Sequence, residues 1–103
     1  METNEITGEI LSEFKERMKL GEEDDWNLMR ILKASTEDLV DKCGGYDLHT
    51  SERFKELVFE RSRYAYNDAI EYFNDNFLSQ ILTLGISKAL EAIVIEGDTD
   101  AAI

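Results

Sequence analysis

The sequence predicts an all-α fold, a small bundle of about four helices, from three observations. It has no proline and only 6 glycines, so the strongest interior helix breakers are missing or rare. Apolar residues recur at a spacing near 3.6 through most of the chain. Strand-like alternation is confined to one short stretch, Leu82, Leu84 and Ile86. At 103 residues, 43% hydrophobic and 33% charged, the chain is sized for one core and has charge enough to keep the remainder solvated.

Thr7 offers a capping oxygen for a first helix over Gly8–Lys19, with Ile6 and Leu11 placed as a hydrophobic staple across its entry. Ile10, Leu11, Phe14 and Met18 then share one face, and Gly21 is expected to end the element. The acids Glu22, Glu23, Asp24 and Asp25 stand just before the next apolar run, where a helix N-terminus favours negative charge. In that second helix Leu28, Leu32, Leu39 and Cys43 form the inward stripe, widened by Trp26, Met29, Ile31 and Val40, and Gly44 and Gly45 stop it.

A long central third helix is expected from about Ser51 to beyond Asn74, capped by Asp47, Thr50 or Ser51. On an ideal wheel of about 100° per residue, Phe54, Leu57, Val58, Ala65, Ala69 and Tyr72 share one face. Phe59, Tyr66, Ile70, Phe73 and Phe77 share the adjoining one. The polar strip left between them (Glu56, Glu60, Arg63, Asn67, Glu71, Asn74) is narrower than a surface helix carries. The second face, with Leu78 and Ile81, is therefore the candidate interface: it is buried by other subunits or partners, or by the chain's own C-terminal helix. Leu78, Ile81, Leu82, Gly85, Ala89, Ala92 and Ile93 continue at helical spacing as a fourth element. Residues 1–96 are thus read as one helical domain, and the aperiodic 97–103 as a mobile acidic tail.

Eleven Lys and Arg against 23 Asp and Glu give a net charge of −12, which opposes binding to nucleic-acid phosphates. The imbalance grows along the chain: after Tyr66 stand Asp68, Glu71, Asp75, Glu91, Glu96, Asp98 and Asp100 against a single base, Lys88. One cysteine allows no intrachain disulfide and, with one histidine, no four-ligand Cys/His zinc site. The first residues carry neither a basic nor an apolar leader segment, and no apolar run reaches membrane-spanning length. A reducing cytoplasm is the expected place of synthesis.

No constellation points to an enzyme, a metal or a cofactor. Consecutive acids such as Glu22 to Asp25 point in different directions on a helix and do not converge on an ion. Cys43 and His49 flank a glycine turn but have no orienting third group or oxyanion hole in the pattern, and a cysteine closing an apolar stripe is read as a small hydrophobe. Arg61 and Arg63 among Tyr64, Tyr66 and Tyr72 resemble a stacking surface for single strands. Glu56, Glu60, Asp68 and Glu71 lie at helical reach, however, and ion pairing is the expected fate of the two arginines.

The stretches FKERMKL, EDDWNLMRIL, DKCGGYD and KELVFERSRYAYNDAIEYFNDNF, in that order and spacing, resemble the small head-to-tail connector (adaptor, head-completion) proteins of siphophages of Gram-positive bacteria. The resemblance covers about Ile10 to Leu90, and ERSRYAYNDAIEYF is its most specific part. It implies a structural, non-enzymatic α-helical subunit that assembles in the virion as a homo-oligomeric ring of about twelve copies. The ring would sit between the portal protein and a stopper or tail-completion protein, with DNA passing through unbound and no membrane involved. From the pattern alone, the tail and the loop from Gly44 to Thr50 are the expected contacts with neighbouring proteins. The alternative from another class is a small acidic regulator that mimics DNA and inhibits a host nucleic-acid enzyme. Such a mimic strings carboxylates along one face, whereas here they alternate with Lys and Arg through Arg63.

Overall fold

The computed structural model describes residues 4–21 and 25–101, with side chains described through Ile93. Among these residues there are five α-helices and no strand: α1 (Gly8–Met18), α2 (Asp25–Cys43), α3 (Glu52–Tyr66), α4 (Phe73–Asn76) and α5 (Leu78–Ala101), with a 3-10 turn at Ile70–Tyr72 between α3 and α4. The all-α expectation holds, with one helix more than expected.

Capping chemistry sets the starts of α1 and α3. The Thr7 hydroxyl accepts from the Ile10 amide at 3.2 Å, and Ser51 does the same for Phe54 at 3.2 Å, each satisfying an amide that has no partner inside its own helix. The acids Glu22 to Asp24 lie outside the described residues. Asp25, the first residue of α2, is bridged by Lys15 of α1 at 2.8 Å.

α1 ends within a residue of the expected Lys19, but the residue that terminates it differs from the expected one. Lys19, not Gly21, takes the left-handed conformation (φ 59°), and the amides of Lys19 and Leu20 donate back to the carbonyls of Glu16 and Lys15. This paired pattern closes a helix without requiring glycine.

The long central helix is divided. After Tyr66 the chain leaves α3, Asp68 adopts φ 59°, and the amides of Asp68 and Ala69 donate to the carbonyls of Ala65 and Tyr64. The same terminator as in α1 is thus built on Asn67-Asp68, two residues whose short polar side chains tolerate left-handed backbone and compete with the helix ladder. Register is reset by the break. Tyr72, expected on the inward face with Phe54, stands in solvent, while Phe73 and Phe77 fold back on Tyr64 with ring centroids 5.7 and 5.6 Å away. The longest helix is α5, at 24 residues.

The core runs along α2, which contacts α1, α3 and α5. Phe14, Leu28, Leu32, Leu39, Phe54 and Val58 are its most enclosed members, with Phe14 tilted against Phe59 at 5.5 Å. The loop between α2 and α3 is part of this packing. Leu48 is buried, Tyr46 stacks on Phe54, and Asn4 clamps the loop through the Tyr46 carbonyl and the Leu48 amide.

The N-terminal half of α5 docks on the C-terminal end of α2. Ile81 and Leu84 are buried there, the Cys43 thiol lies 3.7 Å from the Ile81 carbonyl, and the Tyr46 hydroxyl donates to the Leu84 carbonyl at 2.8 Å. Gly44 makes the approach possible twice over: its φ is 104°, and a Cβ there would stand 2.7 Å from Lys88 Cγ. The helix backbone then continues to Ala101, where the sequence suggested an aperiodic tail from Gly97. The extents of 59 × 28 × 17 Å, and a radius of gyration of 15.7 Å against about 13 Å for a compact chain of this length, reflect a helix about 36 Å long that only part of the bundle covers.

Candidate functional site

The chemistry-bearing side chains are engaged in holding helices together. Arg17 of α1 donates to both Glu56 oxygens at 2.8 Å and to Glu60 at 2.9 Å, and Arg63 reaches Glu60 at 2.6 Å. The hydrogen bonds from Glu56 and Glu60 hold the Arg17 guanidinium more firmly protonated. Burial alone would raise the Glu60 pKa, but hydrogen bonds from Arg63 and Arg17 outweigh it and keep the carboxyl below its usual 4.5. The expected pairing of Arg63 within α3 is therefore observed. Arg61 instead crosses to α2, meeting Asp38 at 3.2 Å and Ser35 at 3.0 Å.

Cys43 is enclosed, and burial pushes its thiol pKa up, so the unreactive neutral form is favoured. His49 is exposed, and its Nε2–H donates to the Glu5 carbonyl at 3.0 Å. A groove of about 420 Å³ between α3 and α5 is lined by Glu56, Glu60, Arg53 and Thr83 over Leu57, Phe77 and Leu84. Both its carboxylates are already bound to arginine. Among the described residues, no three His, Cys, Asp or Glu side chains converge as metal ligands, and no helix is long and apolar enough to cross a membrane.

The seven candidate interface residues separate into three groups. Phe59, Phe73 and Ile81 are buried in the chain's own core, and in this conformation offer nothing to a partner. Tyr66 and Phe77 are half-buried against that core. Ile70 and Leu78 are exposed. For the aromatic face, then, the chain itself supplies most of the cover, through α1 and through the reversal after Tyr66.

The uncovered apolar surface lies further along. Leu78, Leu82, Ile86, Leu90 and Ile93 are each between 50% and 59% exposed. On an ideal wheel these five occupy an arc of about 120°, centred about 150° away from the direction of Ile81 and Leu84. The helix thus has two apolar faces, one docked and one bare, separated on one side by Thr83, Ser87 and Gln80. From Leu78 to Ile93 the only charges are Lys88 and Glu91, which pair at 3.5 Å. An exposed apolar stripe of this kind is unusual for a chain that stays alone in water.

Of the stripe, only Leu78 was among the sequence-derived candidates. The signal was available as the strict four-residue recurrence from Leu78 to Leu90, out of phase with Ile81 and Leu84. A second uncovered residue, Trp26, was expected inside the α2 stripe; it sits in the first turn of α2, 73% exposed. No family model matches the chain, and neither a curated protein nor a solved structure matches it significantly.

Proposed function

We propose that the chain is a structural subunit of a phage head-to-tail connector, a homo-oligomeric ring between the portal and a stopper or tail-completion protein through which DNA passes. The observation that carries the reading is the bare face of α5. Apolar surface left in water costs about 25 cal/mol per Å², and a helix already docked through Ile81 and Leu84 has no folding reason to carry a second apolar face. An assembled neighbour removes that surface from solvent.

Two further features agree with the reading. The arginines of the ERSRYAYNDAIEYF stretch face carboxylates of the same chain, so they support the subunit's build and leave few cations for phosphate. A net charge of −12 suits a passage that a polyanion must slide through without sticking. In this reading the chain functions in the virion after assembly in the host cytoplasm.

Imaging portal-containing particles produced with and without the chain tests this directly. The expected result is a layer of density beneath the portal only when the chain is present, its rotational symmetry giving the copy number. Identical necks in both preparations would exclude the connector role.

A further inference from the structure

The turn between α3 and α4 is made of residues that also suit a helix. No glycine or proline stands between Gly45 and Gly85, and apolar residues keep helical spacing from Phe54 to Phe77. The turn depends on Asp68, which is not glycine yet holds φ at 59°, a conformation that costs an L-residue energy. Its neighbours Asn67 and Ala69 keep negative φ, and Ile70–Asn76 is already helical, first 3-10 and then α.

What holds the segment beyond the turn is contact with α2, α3 and the loop joining them. Phe73 and Phe77 pack on Tyr64, whose hydroxyl accepts from Asn76 at 3.0 Å. Lys42 donates to Asn74 at 2.9 Å, and Ile81 and Leu84 are buried where α5 meets Cys43 and Tyr46. None of these contacts uses Asn67, Asp68 or Ala69, so an identical segment arriving from another chain makes every one of them.

We propose that the turn at Asn67–Ala69 is an exchange hinge: straightened, it joins α3 and α4 in one helix and delivers the segment from Ile70 onward to α2 and α3 of a second copy, which returns its own.

The docking site itself selects this occupant. Continuing α3 from Tyr66 to Leu78 carries the start of α5 about 18 Å along the helix axis, away from its own Cys43. In a single chain that opening would leave Phe73, Ile81 and Leu84 in water, and all three are buried in the closed form. The second copy's segment returns the same side chains to the same places. The two arrangements then differ only in the hinge and in the independent motion that one chain gives up, which makes exchange of an identical element a low-cost route to a dimer. Release of the left-handed Asp68 favours the exchanged form, and dilution favours the single chain. The exchange does not depend on the connector reading.

The test uses the full chain with Asp68→Ala, which disfavours the turn and favours the helix, and Asp68→Gly, which does the reverse. In sedimentation velocity at up to on the order of 100 µM, the Asp68→Ala dimer should bind about tenfold more tightly per hinge, about a hundredfold for a reciprocal pair, than the wild type. Asp68→Gly should dimerise less than the wild type. A cysteine then shows whose α5 is docked. A Cβ at Gly85 would lie 3.9 Å from Cys43 Cα and 3.3 Å from the Lys42 carbonyl oxygen, so Gly85→Cys can reach Cys43 with a small adjustment. After oxidation with diamide, the dimer fraction of Asp68→Ala with Gly85→Cys should run as a covalent dimer on a non-reducing denaturing gel, and the monomer fraction as a covalently closed monomer. A dimer fraction with links only within chains, or an Asp68→Ala chain that dimerises no more than Asp68→Gly, overturns the exchange. The second criterion needs no added cysteine and stands alone should Gly85→Cys fail to fold. Particle imaging tests the connector role separately, so either reading can fail without the other.

Discussion

Helices α3 and α5 both carry more apolar residues than a single face needs, and the chain treats them in opposite ways. Around α3 the surplus is covered from within: Phe59 meets Phe14 of α1, and the reversal at Asn67–Ala69 brings Phe73 and Phe77 back onto Tyr64. On α5 the surplus from Leu78 to Ile93 stays in solvent. Apolar excess alone therefore does not say who covers it. What decides is whether a flanking segment can fold back, and the chain reverses direction after α3 through a left-handed aspartate.

The largest test of this contrast compares Phe73→Ala with Leu90→Ala. Phe73 is buried against Tyr64 of α3 and stacked on Phe77, so its truncation should cost about 3–5 kcal/mol, a large share of the stability of a small domain. Leu90→Ala should change stability by less than about 0.5 kcal/mol. Urea unfolding of the two variants measures both, and equal losses would mean that the α5 face is covered within the chain.

The reversal itself is tested at Asp68. A β-branched residue there must take a φ near 59°, so Asp68→Val should destabilise by about 1–2 kcal/mol. Asp68→Gly should be neutral or stabilising. A Val variant that is no less stable would show that the chain continues α3 at no cost.

A smaller effect is expected at the α1–α3 tie. The folded Glu60 carboxyl lies below its usual 4.5, so its contribution is present above that pH and is lost as pH falls through the lower folded value. Arg17→Ala should cost about 1 kcal/mol at neutral pH, and the difference from wild type should shrink in acid. Denaturant midpoints measured from pH 7 down to pH 3 give the comparison, and a pH-independent difference would assign the Arg17 effect to packing on Phe59, which its guanidinium overlies at 5.8 Å.

Much of the fold was legible because it is written in local chemistry. Thr7 and Ser51 cap the helices they precede, Gly44 ends α2, and the stripe from Leu28 to Cys43 points inward; each depends on residues within a turn or two. The break after Tyr66 was also written locally, in Asn67-Asp68, but the unbroken apolar periodicity across it predicted a continuous helix. The candidate face was legible only as a surplus. Periodicity counts apolar residues and gives their direction around a helix axis, and it is blind to where the axis lies relative to the rest of the chain.

The sequence by itself determined that the chain is helical, where α1 and α3 begin, that Arg61 and Arg63 would meet carboxylates, and that apolar area exceeded what one stripe requires. Only the tertiary structure decided which part of that excess is core. Phe59 went inside against Phe14 of α1, Phe73 because the reversal brings it back onto Tyr64, and Ile81 because α5 docks on Cys43 and Tyr46. The stripe from Leu82 to Ile93 stayed outside because it faces about 150° away from that docked side, a direction fixed by long-range packing and not by any neighbour in sequence.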